Sequence, residues 1–141
     1  MSSQFIRMSL GRRATSVTAD ESVRSLADAQ EVVAHKAADY INIKIMKTGV
    51  AEAVEIASFT KASGLKLMIG GMVETRIAMG CSFSLVLGLG GFEVLDLDTP
   101  LLLTSDPVMG GYRYEGARLQ PWSGPGLDMT VAPSPNVTTI E

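Results

Sequence analysis

The run Asp39-Tyr-Ile-Asn-Ile-Lys-Ile-Met-Lys-Thr-Gly49 does most to limit what this chain folds into. Ile41, Ile43 and Ile45 alternate with Asn42 and Lys44, the period of two that marks a strand with one apolar face. If the isoleucines pack on helices, Lys44 points the other way, at the strand's end. Ala19-Asp-Glu-Ser22 before this run and Asp96-Leu-Asp-Thr-Pro100 after it repeat the arrangement. Each puts an ionisable residue at the C-terminal end of a short apolar strand, which is where a (β/α)₈ barrel builds its active site.

The rest of the chain alternates in the same sense. A strand over 16–19 ends at Asp20, and Ser25 with Asp28 forms a capping box for a helix reaching about residue 36. The strand over 40–45 leads to a helix over 51–63, closed by Gly64. A strand over 65–69, a helix over 75–87 and a strand over 92–97 follow. On the last strand Phe92, Val94 and Asp96 share a face, so Asp96 and Asp98 project together. The order β-α-β-α-β-α-β predicts a parallel sheet with right-handed crossovers, as a partial (β/α)₈ TIM barrel or an open sheet. With 141 residues against about 250 for a complete barrel, at most half of one is expected. Beyond Pro100 the periodicity fails among glycines and prolines, predicting a loop-rich end to about residue 127 and a disordered tail over 128–141.

Composition narrows the function classes. A hydrophobic content of 46% with 19% charged residues predicts either apolar surface awaiting another domain or subunit, or parallel strands buried on both faces. Net charge is −3 with no basic run, which argues against nucleic acid as a partner. No apolar stretch of about 20 residues predicts a membrane span. Cys81 is the single cysteine, which excludes an internal disulfide and fits a reducing, cytoplasmic compartment, with the thiol packed in a core. Residues 1–15 carry Arg7, Arg12 and Arg13 and no acid, the composition of an organelle leader or of a short surface segment. Asn136-Val-Thr138 matches a glycosylation sequon, to which no role is given without a signal peptide.

The candidate chemistry has a plain alternative at each position. Lys44, desolvated inside a barrel, has its pKa lowered toward that of a general base; otherwise it snorkels or pairs with a carboxylate. Lys47 lies past the strand end and is expected in solvent. Asp20, beside Glu21, is an oxygen ligand for Mg²⁺ or a helix cap. Asp96 and Asp98 suit an ammonium group or a metal, or form a solvated acidic turn. Glu74 closes the third strand and faces the same mouth as a substrate-binding candidate. Gly88-Leu-Gly-Gly91 precedes a strand instead of following one, so it is not a dinucleotide fingerprint. His35 is expected on the surface.

Four segments in order, Ala-Asp-Glu-Ser (19–22), Ile-Asn-Ile-Lys-Ile-Met-Lys-Thr-Gly (41–49), Met-Ile-Gly-Gly-Met-Val-Glu-Thr (68–75) and Asp-Leu-Asp-Thr-Pro (96–100), carry a resemblance. Together they look like the C-terminal barrel of the mandelate racemase and muconate-lactonizing branch of the enolase superfamily, and within it the L-Ala-D/L-Glu dipeptide epimerase group. The resemblance runs from Val17 to Leu127 and implies a domain over 16–127 made of barrel strands five to eight. It implies that Asp20 is a Mg²⁺ ligand, Lys44 the acid/base on one side of the substrate α-carbon, and Asp96 with Asp98 the holders of a dipeptide's α-ammonium. The implied reaction is proton abstraction α to a carboxylate, then reprotonation from the opposite face.

The departures from the family pattern are Gly49-Val50 in place of Gly-Gly, and the lack of a capping domain, an opposing lysine motif and two further metal carboxylates. The chain is therefore expected to be a truncated relative. It is either a half-barrel completed by a partner chain or its own copy, a noncatalytic remnant, or another racemase or cycloisomerase of the superfamily.

Overall fold

The structure, a computed structural model, describes residues 15–131. Its centre is a sheet of four parallel strands, β1 (Thr18–Ala19), β2 (Tyr40–Ile43), β3 (Lys66–Ile69) and β4 (Phe92–Leu95), lying in chain order. Three helices make the crossovers: α1 (Leu26–Ala34), α2 (Ile45–Ala62) and α3 (Arg76–Leu89). This is the α/β alternation that the apolar runs predict. The register places Thr18 beside Tyr40, Tyr40 beside Lys66 and Leu67 beside Phe92, so the C-terminal strand ends line up on one side.

Burial of the apolar runs drives this arrangement. Ile41, Ile43, Leu67 and Ile69 are fully buried, against Ala29, Ile56, Ala57 and Met79 of the helices. Burying a side chain of that size contributes about 1.5–3 kcal/mol. The predicted box at α1 is present: the Asp28 amide donates to Ser25 Oγ at 3.2 Å, and Ser25 Oγ donates to Asp28 Oδ2 at 2.8 Å. The start of α1 is tied to the next helix as well, because the Leu26 amide donates to Glu52 Oε1 at 2.8 Å.

Two expectations need correction. The second strand stops at Ile43, not residue 45: the Lys44 carbonyl accepts from the Lys47 amide (2.9 Å), so the chain bends at once into a helical turn. Gly49 then interrupts α2 at φ +70°, ψ 176°, dihedrals that a side chain makes costly, and the helix expected from about residue 51 runs on after it to Ala62. Lastly, the end of the chain is not only loops. After a short 3₁₀ turn (Thr99–Leu102), β5 (Val108–Gly110) pairs antiparallel with β8 (Met129–Val131), and β6 (Tyr112–Glu115) pairs with β7 (Arg118–Pro121). The β6–β7 connection is the two-residue turn Gly116-Ala117, with Gly116 at φ +61°, a short-range hairpin signal.

β8 occupies positions assigned above to a tail. The rest of that segment, with the sequon at Asn136, and residues 1–14 of the predicted leader lie outside the described residues. β4 has one sheet neighbour among the described residues, and its Val94 and Leu95 are 40% and 49% exposed. No helix among the described residues is long and apolar enough to cross a membrane.

Candidate functional site

The aligned strand ends bring Asp20, Lys44 and Lys47 into one ion-pair cluster. Lys44 caps the start of α2 directly after β2 and is 7% exposed. Its Nζ lies 3.0 Å from Asp20 Oδ2 and 2.9 Å from Glu21 Oε1, with Met72 Sδ at 3.8 Å. Asn42, buried on the same strand, donates from Nδ2 to Asp20 Oδ2 at 3.0 Å. The alternation of Asn42 and Lys44 toward one face is thus seen as predicted.

Lys47 departs from expectation. It is buried rather than solvated, its side chain 7% exposed. Its Nζ donates to the main-chain oxygen of Asp20 (2.6 Å), to Asp20 Oδ1 (3.0 Å) and to the main-chain oxygen of Asn42 (3.0 Å). Period-two reasoning stops at the strand's end and has nothing to say about a side chain that reaches back from the next turn.

These contacts set the charges, and not in the order predicted. Burial pulls the Lys44 pKa down, but its bonds to Glu21 and Asp20 outweigh burial and the net shift is upward. Lys44 is therefore held as an ammonium, in contrast to the lowered value expected of a general base. The lowered lysine is Lys47, where burial prevails over its bond to Asp20. For Asp20, burial raises the pKa, yet the hydrogen bonds from Lys47, Lys44 and Asn42 together bring it below the ordinary carboxyl value.

Asp96 and Asp98 follow β4 and are exposed on either side of the buried Leu97. They line a cleft of about 640 Å³ whose other wall is the β6–β7 hairpin, with Tyr114, Arg118 and Leu119. Burial, then repulsion from Asp98, raises the Asp96 pKa; Lys44 lowers it and Asp20 adds to the rise. Asp96 is thus within electrostatic reach of the ion-pair cluster. Glu74 lies in the loop after β3, not at the strand's end. It is buried, and its Oε1 accepts from the Met72 amide at 2.7 Å, bracing the loop that sets Met72 against Lys44.

The supporting residues that the sequence reading passed over come from the chain's end. Tyr114 Oη donates to the Leu97 carbonyl at 2.6 Å. Arg76, at the start of α3, donates to Asp106 Oδ2 and to the Tyr112 carbonyl, both at 2.7 Å, and lies 4.8 Å over the Tyr112 ring. Their one visible signal is the Tyr-Arg-Tyr-Glu-Gly hairpin. His35 is on the surface, paired with Glu31 Oε2 at 3.1 Å, and the Cys81 thiol is half-buried rather than packed in the core, with its pKa raised by burial.

The donors do not make a magnesium site by themselves. Among the described residues no three His, Cys, Asp or Glu side chains gather as metal ligands. Asp20 offers a suitable hard oxygen, but both of its carboxylate oxygens already have ammonium partners.

Comparison with known proteins gives a consistent picture. Residues 4–134 match the family described as Enolase C-terminal domain-like. An L-Ala-D/L-amino acid epimerase of Populus trichocarpa is 54% identical over 107 residues, covering 76% of this chain and 25% of that protein. The structure of a substrate-liganded complex of the L-Ala-D/L-Glu epimerase from Bacillus subtilis matches with a TM-score of 0.82 at 33% identity, over 86% of this chain and 34% of that one. The dipeptide epimerase from Methylococcus capsulatus complexed with Mg and dipeptide L-Arg-D-Lys matches with a TM-score of 0.75 at 37% identity, over 79% of this chain and 32% of that one. This chain spans between a quarter and a third of the length of the curated relatives it matches.

Proposed function

The chain belongs to the enolase C-terminal domain-like family, and from that premise we propose that it carries the Lys44 side of a dipeptide-epimerase site. The observation behind this reading is the cluster itself: Lys44 Nζ stands 3.0 Å from Asp20 Oδ2 at the mouth of the sheet, within electrostatic reach of Asp96. A dipeptide seated in the cleft places its α-ammonium on Asp96 and Asp98 and its α-carbon toward Lys44. Lys44, once it has lost a proton, takes the α-proton onto Nζ and returns it, so exchange with solvent needs this one base. Glu74 acts by holding the Met72 loop against Lys44.

Asp20 is the residue of this segment that would serve as a Mg²⁺ ligand in a longer assembly. The described residues do not complete that ligand set, so no step is assigned to the metal. The exposed Val94 and Leu95 of β4 support a second half-barrel, from a partner chain or a second copy, as the cover of that edge.

A second reading is favoured by one observation. The Lys44 ammonium is held between two carboxylates and its pKa is raised, which suits a noncatalytic site that binds a ligand without turning it over. Proton exchange at the α-carbon of L-Ala-L-Glu in D₂O with Mg²⁺ separates the two. Exchange by the purified chain that is lost in Lys44→Ala supports the catalytic reading; a folded chain with no exchange leaves the binding one.

A further inference from the structure

We infer that Lys47 is a positioning residue, the fixed counter-ion that holds Asp20, and that Lys44 is the partner Asp20 exchanges. The inference rests on the proposed function only in treating Asp20 and Lys44 as site groups. Its basis is how the two ammonium groups are bonded.

An ammonium has three hydrogens to place. Lys47 places all three on protein oxygens: the Asp20 carbonyl, Asp20 Oδ1 and the Asn42 carbonyl. Two of these are main-chain groups at the ends of β1 and β2, so Lys47 joins both strand ends and grips the carboxylate between them. A cation this buried is stable because every donor is met, and none of these acceptors is readily traded for water.

Lys44 is bonded differently. It has Asp20 Oδ2 at 3.0 Å and Glu21 Oε1 at 2.9 Å, and its third neighbour is the soft Met72 Sδ at 3.8 Å. Glu21 is 60% exposed, so water competes for it directly. On Asp20 the division of labour is equally plain. Oδ1 is held by Lys47, while Oδ2 is shared by Lys44 and the buried Asn42 amide. Removing Lys44 leaves Asp20 held at both oxygens. Removing Lys47 frees Oδ1 and loosens the strand ends that carry both Asp20 and Lys44.

The test compares ¹⁵N-lysine NMR of the full chain with its Lys44→Met and Lys47→Met variants, reading each ammonium's Nζ shift and hydrogen exchange with water. In Lys44→Met the Lys47 signal should keep its position and its slow exchange. In Lys47→Met the released Asp20 should no longer hold its Oδ2 on Lys44, so the Lys44 ammonium should exchange about tenfold faster, the scale of that one hydrogen bond, and move toward the solvated lysine position. A role limited to filling space would lower stability without moving the Lys44 signal. The inference is overturned if Lys47→Met leaves Lys44 unmoved, or if Lys44→Met disturbs Lys47 as much as the reverse. Should Lys47→Met not fold, the Lys44→Met arm decides alone: a displaced or fast-exchanging Lys47 overturns the assignment and an unchanged one supports it. Neither signal depends on turnover, so a chain without α-proton exchange can still show the anchor, and an exchanging chain can lack it.

Discussion

The Tyr114 hydroxyl donates a 2.6 Å hydrogen bond to the carbonyl of Leu97, the residue between Asp96 and Asp98. A hairpin from the chain's end is thereby fixed to the peptide that carries both aspartates. Tyr114→Phe keeps the ring, which stands edge-on to Tyr112 at 5.4 Å, and removes the donor. The expected loss is about 1 kcal/mol, measured by urea unfolding. An unchanged midpoint would show that the carbonyl is as well served by water.

Arg76 joins the same hairpin to α3. Its guanidinium is partly buried against Asp106, bonded to the Tyr112 carbonyl and stacked on the Tyr112 ring. Arg76→Met leaves the Asp106 carboxylate without this partner, and the expected cost is about 3 kcal/mol. Limited proteolysis should then cut first within 108–131 while 26–95 stays protected. Cleavage spread evenly over the chain would contradict this.

The period of Ile41, Asn42, Ile43 and Lys44 is enough to expose the sheet and the orientation of Lys44, because an apolar face packed on helices and a polar face at the ion-pair cluster alternate in the sequence even though both are buried. The same signal cannot reach Lys47, whose burial depends on a helical turn closed by the Lys44 carbonyl. Nor does it say that Glu21 and Asp20 together raise the Lys44 pKa, since that balance is a matter of distances. The tyrosine hairpin is not legible because its strands sit among glycines and prolines, which signal loops. Gly116 was its one local mark.

Gly49 provides a backbone test. At φ +70° with ψ 176° nothing lies within 4 Å of the position a methyl group would take, so any penalty comes from the dihedrals alone. Gly49→Ala should lower stability by about 1–3 kcal/mol, read as a drop in Tm. Calorimetry showing no drop would mean the turn relaxes without strain.

Acid should weaken the fold through Asp20. Burial raises its pKa, but Lys47, Lys44 and Asn42 bring it below the ordinary 3.8. A depressed folded value means the unfolded chain binds the proton better, so the contribution is complete above pH 3.8 and is lost as pH falls through the folded value. Lys44 and Lys47 shift in opposite directions and oppose each other on the alkaline side. Asp20→Asn should therefore flatten the acid limb of a stability-against-pH curve. An acid limb of unchanged steepness would assign it to other carboxylates.

The cleft makes a separate demand on its ligand. Asp98→Asn should weaken binding of a dipeptide with a free amino terminus about tenfold, as expected for one lost charge-assisted hydrogen bond. Binding of the N-acetylated dipeptide should be weak to both forms. Calorimetric titration decides, and equal affinity of the variant for the free dipeptide would remove Asp98 from the ammonium site.

In the parallel sheet each strand after β1 pairs with the one synthesised just before it. Once β1 and β2 have paired, such a sheet grows by addition at one edge, so β3 and β4 each find their neighbour already in place. The Lys47 side of the ion-pair cluster shares this timing, since the three oxygens bonded to the Lys47 ammonium precede it in the chain. The hairpin that fixes Leu97 follows the whole sheet in the chain, so the aspartate side of the cleft takes shape after the Lys47 side.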